Sequence, residues 1–193
     1  MLITERNNLY PIFLKVHQLE VLIVGGGNVG LEKLSFLLKS SPNANVQLVA
    51  PEINEEIFEL VKKHQVELVK EQFRNQFLEN KHIVIVATDN ENLNIEIYNE
   101  CKRRNLLVNL ADNPRYCDFY LGGIVTKGNV KIAISTNGKS PTTAKRLRQF
   151  FEEVIPDNID ELVQNLNRYR KSIKGNFEKK VSTLNDLTKS LVK

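Results

Sequence analysis

The chain has 193 residues, 41% hydrophobic and 26% charged, with a formal charge of +4, enough for one ordinary domain with a buried core and an appendage. No run approaches the roughly 20 apolar residues of a membrane span, and the opening Met1-Leu2-Ile3-Thr4-Glu5-Arg6-Asn7-Asn8 carries charge where a signal peptide needs an apolar stretch, so a cytoplasmic protein with no membrane partner is expected. Cys101 and Cys117 stand 16 residues apart and His17, His64 and His82 are scattered, a spacing that supplies neither a metal-ligand set nor a disulfide pattern.

In chain order, apolar runs near 20–25, 45–50, 66–70, 82–87 and 106–110 read as strands. Helical stripes alternate with them: Val29, Leu31, Leu34, Leu37 and Leu38, then Ile53, Ile57, Leu60 and Val61, then Leu93, Ile97 and Cys101. This alternation predicts a Rossmann-like parallel sheet over residues 1–114. The run at 82–87 is apolar at nearly every position, as a central strand buried on both faces should be. Cys101 keeps helical register with Leu93 and Ile97, which assigns it to the core.

The pattern changes after Pro114. Asp118–Val125 and Asn129–Ser135 are β-prone and joined by Thr126-Lys127-Gly128-Asn129, which predicts an antiparallel hairpin. Ser140 and Pro141 form an N-cap and first-turn pair, and Ala144, Leu147, Phe150, Phe151 and Val154 supply the stripe of the helix that follows. Pro156 separates it from a helix carrying Leu162, Leu166, Tyr169 and Ile173, and Gly175 precedes a last helix of about 15 residues. The expected division is a dinucleotide-binding domain at 1–114, a small hairpin-and-helix domain at 115–151 and a helical module at 152–193. A two-stranded hairpin is marginal alone, so a homodimer is expected to cover it. Residues 163–193 hold eight basic groups against Glu178 and Asp186, with only Tyr169 and Phe177 as aromatics, which argues against nucleic acid as a partner.

The most informative motif is Val21-Leu22-Ile23-Val24-Gly25-Gly26-Gly27-Asn28-Val29-Gly30, a strand running into G-x-G-x-x-G and then a helix. Gly25 suits the tight turn, Gly27 lets the backbone approach a pyrophosphate, and Gly30 permits close helix–strand packing, while the N–H groups around Asn28 and Val29 face the phosphates. NAD is the expected cofactor. Ligands of such sheets bind beyond the carboxyl ends of the strands. Pro51 and Glu52 follow the second strand, and Glu52 lies 22 positions after Gly30 with no Lys or Arg nearby, which favours NAD over NADP; alternatively it serves the dipole of the next helix. Thr88 and Asp89 follow the fourth strand, as cofactor contacts or as caps. Asn109 and Asp112 belong to the fifth, where Asp112 is either the reactive carboxylate or the side chain of an Asx-turn. Arg115, Lys127, Lys131, Lys139, Lys145, Arg146 and Arg148 add cations, with no acid between 139 and 151, suited to a carboxylate-rich ligand.

Several motifs in order resemble the precorrin-2 dehydrogenase and sirohydrochlorin ferrochelatase family of sirohaem synthesis, the type found in the N-terminal part of sirohaem synthases. They are Leu9-Tyr10-Pro11-Ile12-Phe13-Leu14, the glycine loop, Val86-Ala87-Thr88-Asp89, Val108-Asn109-Leu110-Ala111-Asp112 and Ala133-Ile134-Ser135-Thr136-Asn137-Gly138-Lys139-Ser140-Pro141. The resemblance implies NAD-dependent oxidation of precorrin-2, a polycarboxylate tetrapyrrole, to sirohydrochlorin. It implies Asp112 as the catalytic residue, with Asn109, Arg115, Ser135, Thr136, Lys139, Ser140 and Arg146 toward the substrate, and a dimerisation domain intertwining two chains. Two positions depart from the family pattern: Thr136-Asn137 stands where many members continue in glycine, and Gly30 stands where they often have alanine. Family members differ in whether they also insert iron, and the residues leave that open. They also leave open two other readings, a non-catalytic NAD-sensing regulatory domain and an NAD-dependent dehydrogenase of another polyanionic metabolite.

Overall fold

The computed structural model describes residues 6–189, so Met1–Glu5 of the opening stretch and Lys193 of the basic tail lie outside the described residues. Contacts divide the chain into two compact units, one up to Leu121 and one from Gly122.

The first unit is the parallel sheet foreseen from periodicity. Its strands are β1 (Glu20–Val24), β2 (Asn45–Val49), β3 (Val66–Val69), β4 (Ile83–Val86) and β5 (Leu107–Leu110), in the order β3-β2-β1-β4-β5. The helices are α1 (Asn28–Ser40), α2 (Glu55–Val61) and α3 (Glu91–Arg103). β1 sends alternate side chains into two cores: Val21 and Ile23 pack with Leu34, Leu38 and Ile57 of α1 and α2, whereas Leu22 and Val24 pack with Ile97 and Cys101 of α3. Burial on both faces explains why these strands read as continuous apolar runs. Cys101 is fully buried, and burial pushes its thiol up to about 12, so it is a packing residue and not a nucleophile.

α2 begins at Glu55 rather than at Ile53, because the Asn54 side chain accepts the Glu56 N–H and caps the helix there. Ile53 still packs on the core, from the loop.

The second unit contains β6 (Gly123–Lys127), β7 (Val130–Ile134), α4 (Pro141–Val154), α5 (Ile159–Ser172) and α6 (Phe177–Thr188). β6 and β7 pair antiparallel around Gly128-Asn129, with positive φ at Gly128 alone, the glycine-first arrangement of type II′ hairpins. The first hairpin strand was expected from Asp118, but it starts at Gly123. Residues 117–119 instead strap back onto β5: Cys117 bridges Asn109, the Asp118 N–H donates to the Val108 carbonyl at 2.8 Å, and the Val108 N–H donates to the Asp118 carboxylate at 3.1 Å. Lys102 of α3 pairs with the same carboxylate. The extended run was real, and its partner was the parallel sheet. Among the described residues no helix is long and apolar enough to cross a membrane.

Candidate functional site

Parallel pairing aligns Val49, Val24, Val86 and Leu110 across the sheet. The ladder continues one residue further, since Gly25 N–H donates to Val49, Ala87 N–H to Val24 and Ala111 N–H to Val86. The chain leaves the sheet immediately afterwards, so the glycine loop, Pro51-Glu52, Thr88-Asp89 and Asp112 all emerge along one edge. The strand order reverses at β1, and that is where this fold opens its ligand crevice.

The glycine loop is braced from below and open above. Gly25 has φ +116°, and a Cβ there would lie 2.3 Å from the Ala87 carbonyl oxygen. A Cβ on Gly30 would lie 2.1 Å from the Gly25 oxygen, which lets α1 start hard against the strand end. Gly27 differs, because a Cβ there would meet nothing within 4 Å, and this residue, the N-cap of α1, offers no side-chain bond to the first turn. Free space in front of an uncapped helix start fits a pyrophosphate. Asn54 ties this loop to the one after β2: its N–H donates to Gly26 O at 2.8 Å and its Nδ2 to Asn28 Oδ1 at 3.0 Å. Glu52 is exposed, three residues ahead of α2, and the acids in that helix's first turn are Glu55 and Glu56. Glu52 therefore does not serve as a first-turn acid, and its position after β2 fits a ribose hydroxyl.

After β4, the Thr88 hydroxyl donates to Asn94 Oδ1 at 2.5 Å, and Asn94 Nδ2 returns a bond to the Thr88 carbonyl at 2.9 Å. The cap of α3 is Asn90, which accepts the Leu93 N–H, so capping does not occupy Asp89, and Asp89 stays exposed at the edge. After β5, Leu110–Asn113 forms a turn closed by Asn113 N–H to Leu110 O at 3.2 Å, with Asp112 at φ +60° and exposed. Asn109 is 6% exposed, and its Nδ2 donates to the Phe119 carbonyl at 2.8 Å, so its amide holds the strap. Arg115 is exposed and lies over the Tyr116 ring.

In the second unit, Thr136–Lys139 is a turn with positive φ at both Asn137 and Gly138, closed by Lys139 N–H to Thr136 O at 3.0 Å. Asn tolerates that conformation, which explains how this loop manages with one glycine. Ser140 caps α4 through the Thr143 N–H, and the Thr136 hydroxyl donates to the Ser140 carbonyl. Ser135 accepts the Asn137 N–H, and Arg146 donates to Gln149. Of the expected cations, Lys127 pairs with Asp157 and Arg148 with Glu152. Sequence reasoning missed Gly26, Asn54, Asn94 and Cys117. Only Asn54 had a visible signal, since an Asn followed by two acids marks a helix start. Among the described residues no group of three or more His, Cys, Asp or Glu could hold a metal ion.

The model of the family described as "Putative NAD(P)-binding" matches residues 12–123, and that of "Sirohaem biosynthesis protein central" matches 127–153. The chain is 38% identical over 168 residues to a siroheme synthase of Pseudoalteromonas translucida, covering 87% of this chain and 35% of the relative. It is 37% identical over 177 residues to one of Psychrobacter arcticus, covering 92% and 31%. The chain thus spans about a third of the length of these curated relatives. Its fold matches a solved SirC, precorrin-2 dehydrogenase, with a TM-score of 0.73 at 24% identity, over 93% of this chain and 89% of that one. With both segments in tandem and such relatives, the chain belongs to the NAD(P)-binding family of sirohaem biosynthesis that the siroheme synthases share.

Proposed function

We propose that this protein is an NAD-dependent dehydrogenase that oxidises precorrin-2 to sirohydrochlorin, with Asp112 as the base and a homodimer as the working form. The observation that carries the reading is the placement of Asp112 on the same strand edge as the glycine loop, on the side opposite Glu52. With Glu52 at the ribose on the β2 side and Gly27 and α1 at the pyrophosphate, the nicotinamide half extends toward β4 and β5. Asp112 stands two strand spacings from β1, about 10 Å, within reach of that half.

Bound NAD supplies a two-electron acceptor for the hydride. The substrate loses that hydride and one proton, and the Asp112 carboxylate takes the proton. Thr88, locked by Asn94, and the exposed Asp89 line the edge between the glycine loop and Asp112 and orient the reacting partners. In the first unit Arg115 offers a guanidinium to a substrate carboxylate, and in the second the Ser135–Ser140 loop with Lys139 and Arg146 is a cationic stretch with the same chemical preference. The exposed Glu52, with no Lys or Arg close to it in the sequence, repels a 2′-phosphate, so NAD binds more tightly than NADP. Incubation with NAD and precorrin-2 should yield reduced nicotinamide and sirohydrochlorin in equal amounts, followed by absorbance. NAD binding without turnover would point to a sensing domain, and turnover of a different polyanion would move the substrate assignment.

A further inference from the structure

We propose that Cys117, with Asn109, is a positioning residue for the Asp112 carboxylate, its thiol clasping both stems of the turn on which Asp112 stands. The inference rests on the reading of Asp112 as the base. Cys117 Sγ lies 3.3 Å from the carbonyl oxygen of Leu110 and 3.3 Å from that of Asn113, the two residues that flank Ala111-Asp112. Asn109 Nδ2 donates to the sulfur at 3.3 Å, so the sulfur accepts there and its S–H is left to donate to the turn carbonyls. Burial pushes the Cys117 thiol up from its ordinary value, which keeps the proton on sulfur and the donor available. The same buried amide also fixes Phe119, so strap, thiol and β5 form one brace beneath the turn.

The brace bears on a turn in which Asp112 sits at φ +60°, a left-handed conformation that Asp tolerates better than most residues and that sets where its carboxylate stands. An error of about 1 Å in placing a reacting group can cost on the order of 100-fold in rate. A thiol shared between two carbonyls constrains the turn at both ends, which a single hydrogen bond does not.

The test compares Cys117→Ala and Cys117→Ser with the wild type in the full-length protein, using steady-state kinetics and hydrogen exchange of the peptide covering 110–114. In the alanine variant kcat should fall about 10-fold or more while KM for NAD stays within about 2-fold, and exchange should quicken at 110–114 but not at the glycine loop. Serine, which keeps a donor, should restore kcat to within about 3-fold of wild type. An alanine variant with wild-type kcat, or one whose KM for NAD and glycine-loop exchange change along with kcat, overturns the proposal. If the wild type does not oxidise precorrin-2, the functional reading fails, and unchanged exchange at 110–114 in the alanine variant then overturns the brace separately.

Discussion

Asp112 occupies a backbone conformation that Asn accepts as readily as Asp, whereas Ala or Val would add strain to any loss of chemistry. Asp112→Asn is therefore the clean substitution. It should leave folding and NAD affinity unchanged and slow the chemical step by about 10²- to 10⁴-fold, the usual share of general acid–base catalysis; a folded variant with near wild-type turnover would relocate the base, with Asp89 next in place. The glycines separate in the same way. Gly25→Ala combines positive φ with a backbone overlap and should destabilise the first unit by about 1–3 kcal/mol or more, read as a lowered melting temperature. Gly27→Asp meets open space, so the melting temperature should hold while NAD binding is lost in a titration. These glycines were legible in the sequence because a missing side chain at a fixed spacing is itself the signal. The bonds that Asn109 makes were not, since its partners lie eight and ten residues on, in a strap that alternation alone reads as hairpin strand.

At the level of elements, the hairpin is held to α5 by an acid that periodicity could not flag. Asp160 accepts the backbone N–H of Asn129 at 2.6 Å and its Nδ2 at 2.7 Å, and Gln164 donates to the other oxygen. These bonds hold its carboxyl below the usual carboxylate range, the backbone donor contributing most. A carboxyl depressed in the fold adds stability above its unfolded pKa, about 4, and loses it as pH falls through the lower folded value. Acid titration of the hairpin amides should therefore show α5 and the β6–β7 turn loosening together below about pH 4, and Asp160→Asn should remove that step. A midpoint unmoved by the substitution would remove Asp160 from the account. The parallel strands, the caps at Ser140 and the break at Pro156 were all visible because local chemistry sets them. The start of β6 was not, because a tertiary bond from Asp118 decided it.

On the scale of the whole molecule, the two units differ in how much they bury. The sheet unit fills two cores, whereas Val125 and Ile134 are the buried apolar residues described in the second unit. There Phe150 is 54%, Phe177 68% and Leu187 58% exposed. The proposed homodimer would give such side chains something to pack on, and sedimentation should find a dimer at micromolar concentration; an active monomer would remove that claim. The thin core also has a consequence for measurement. If association supplies the missing burial, the second unit's stability obeys mass action, and its melting temperature should climb with protein concentration while that of the sheet unit stays fixed.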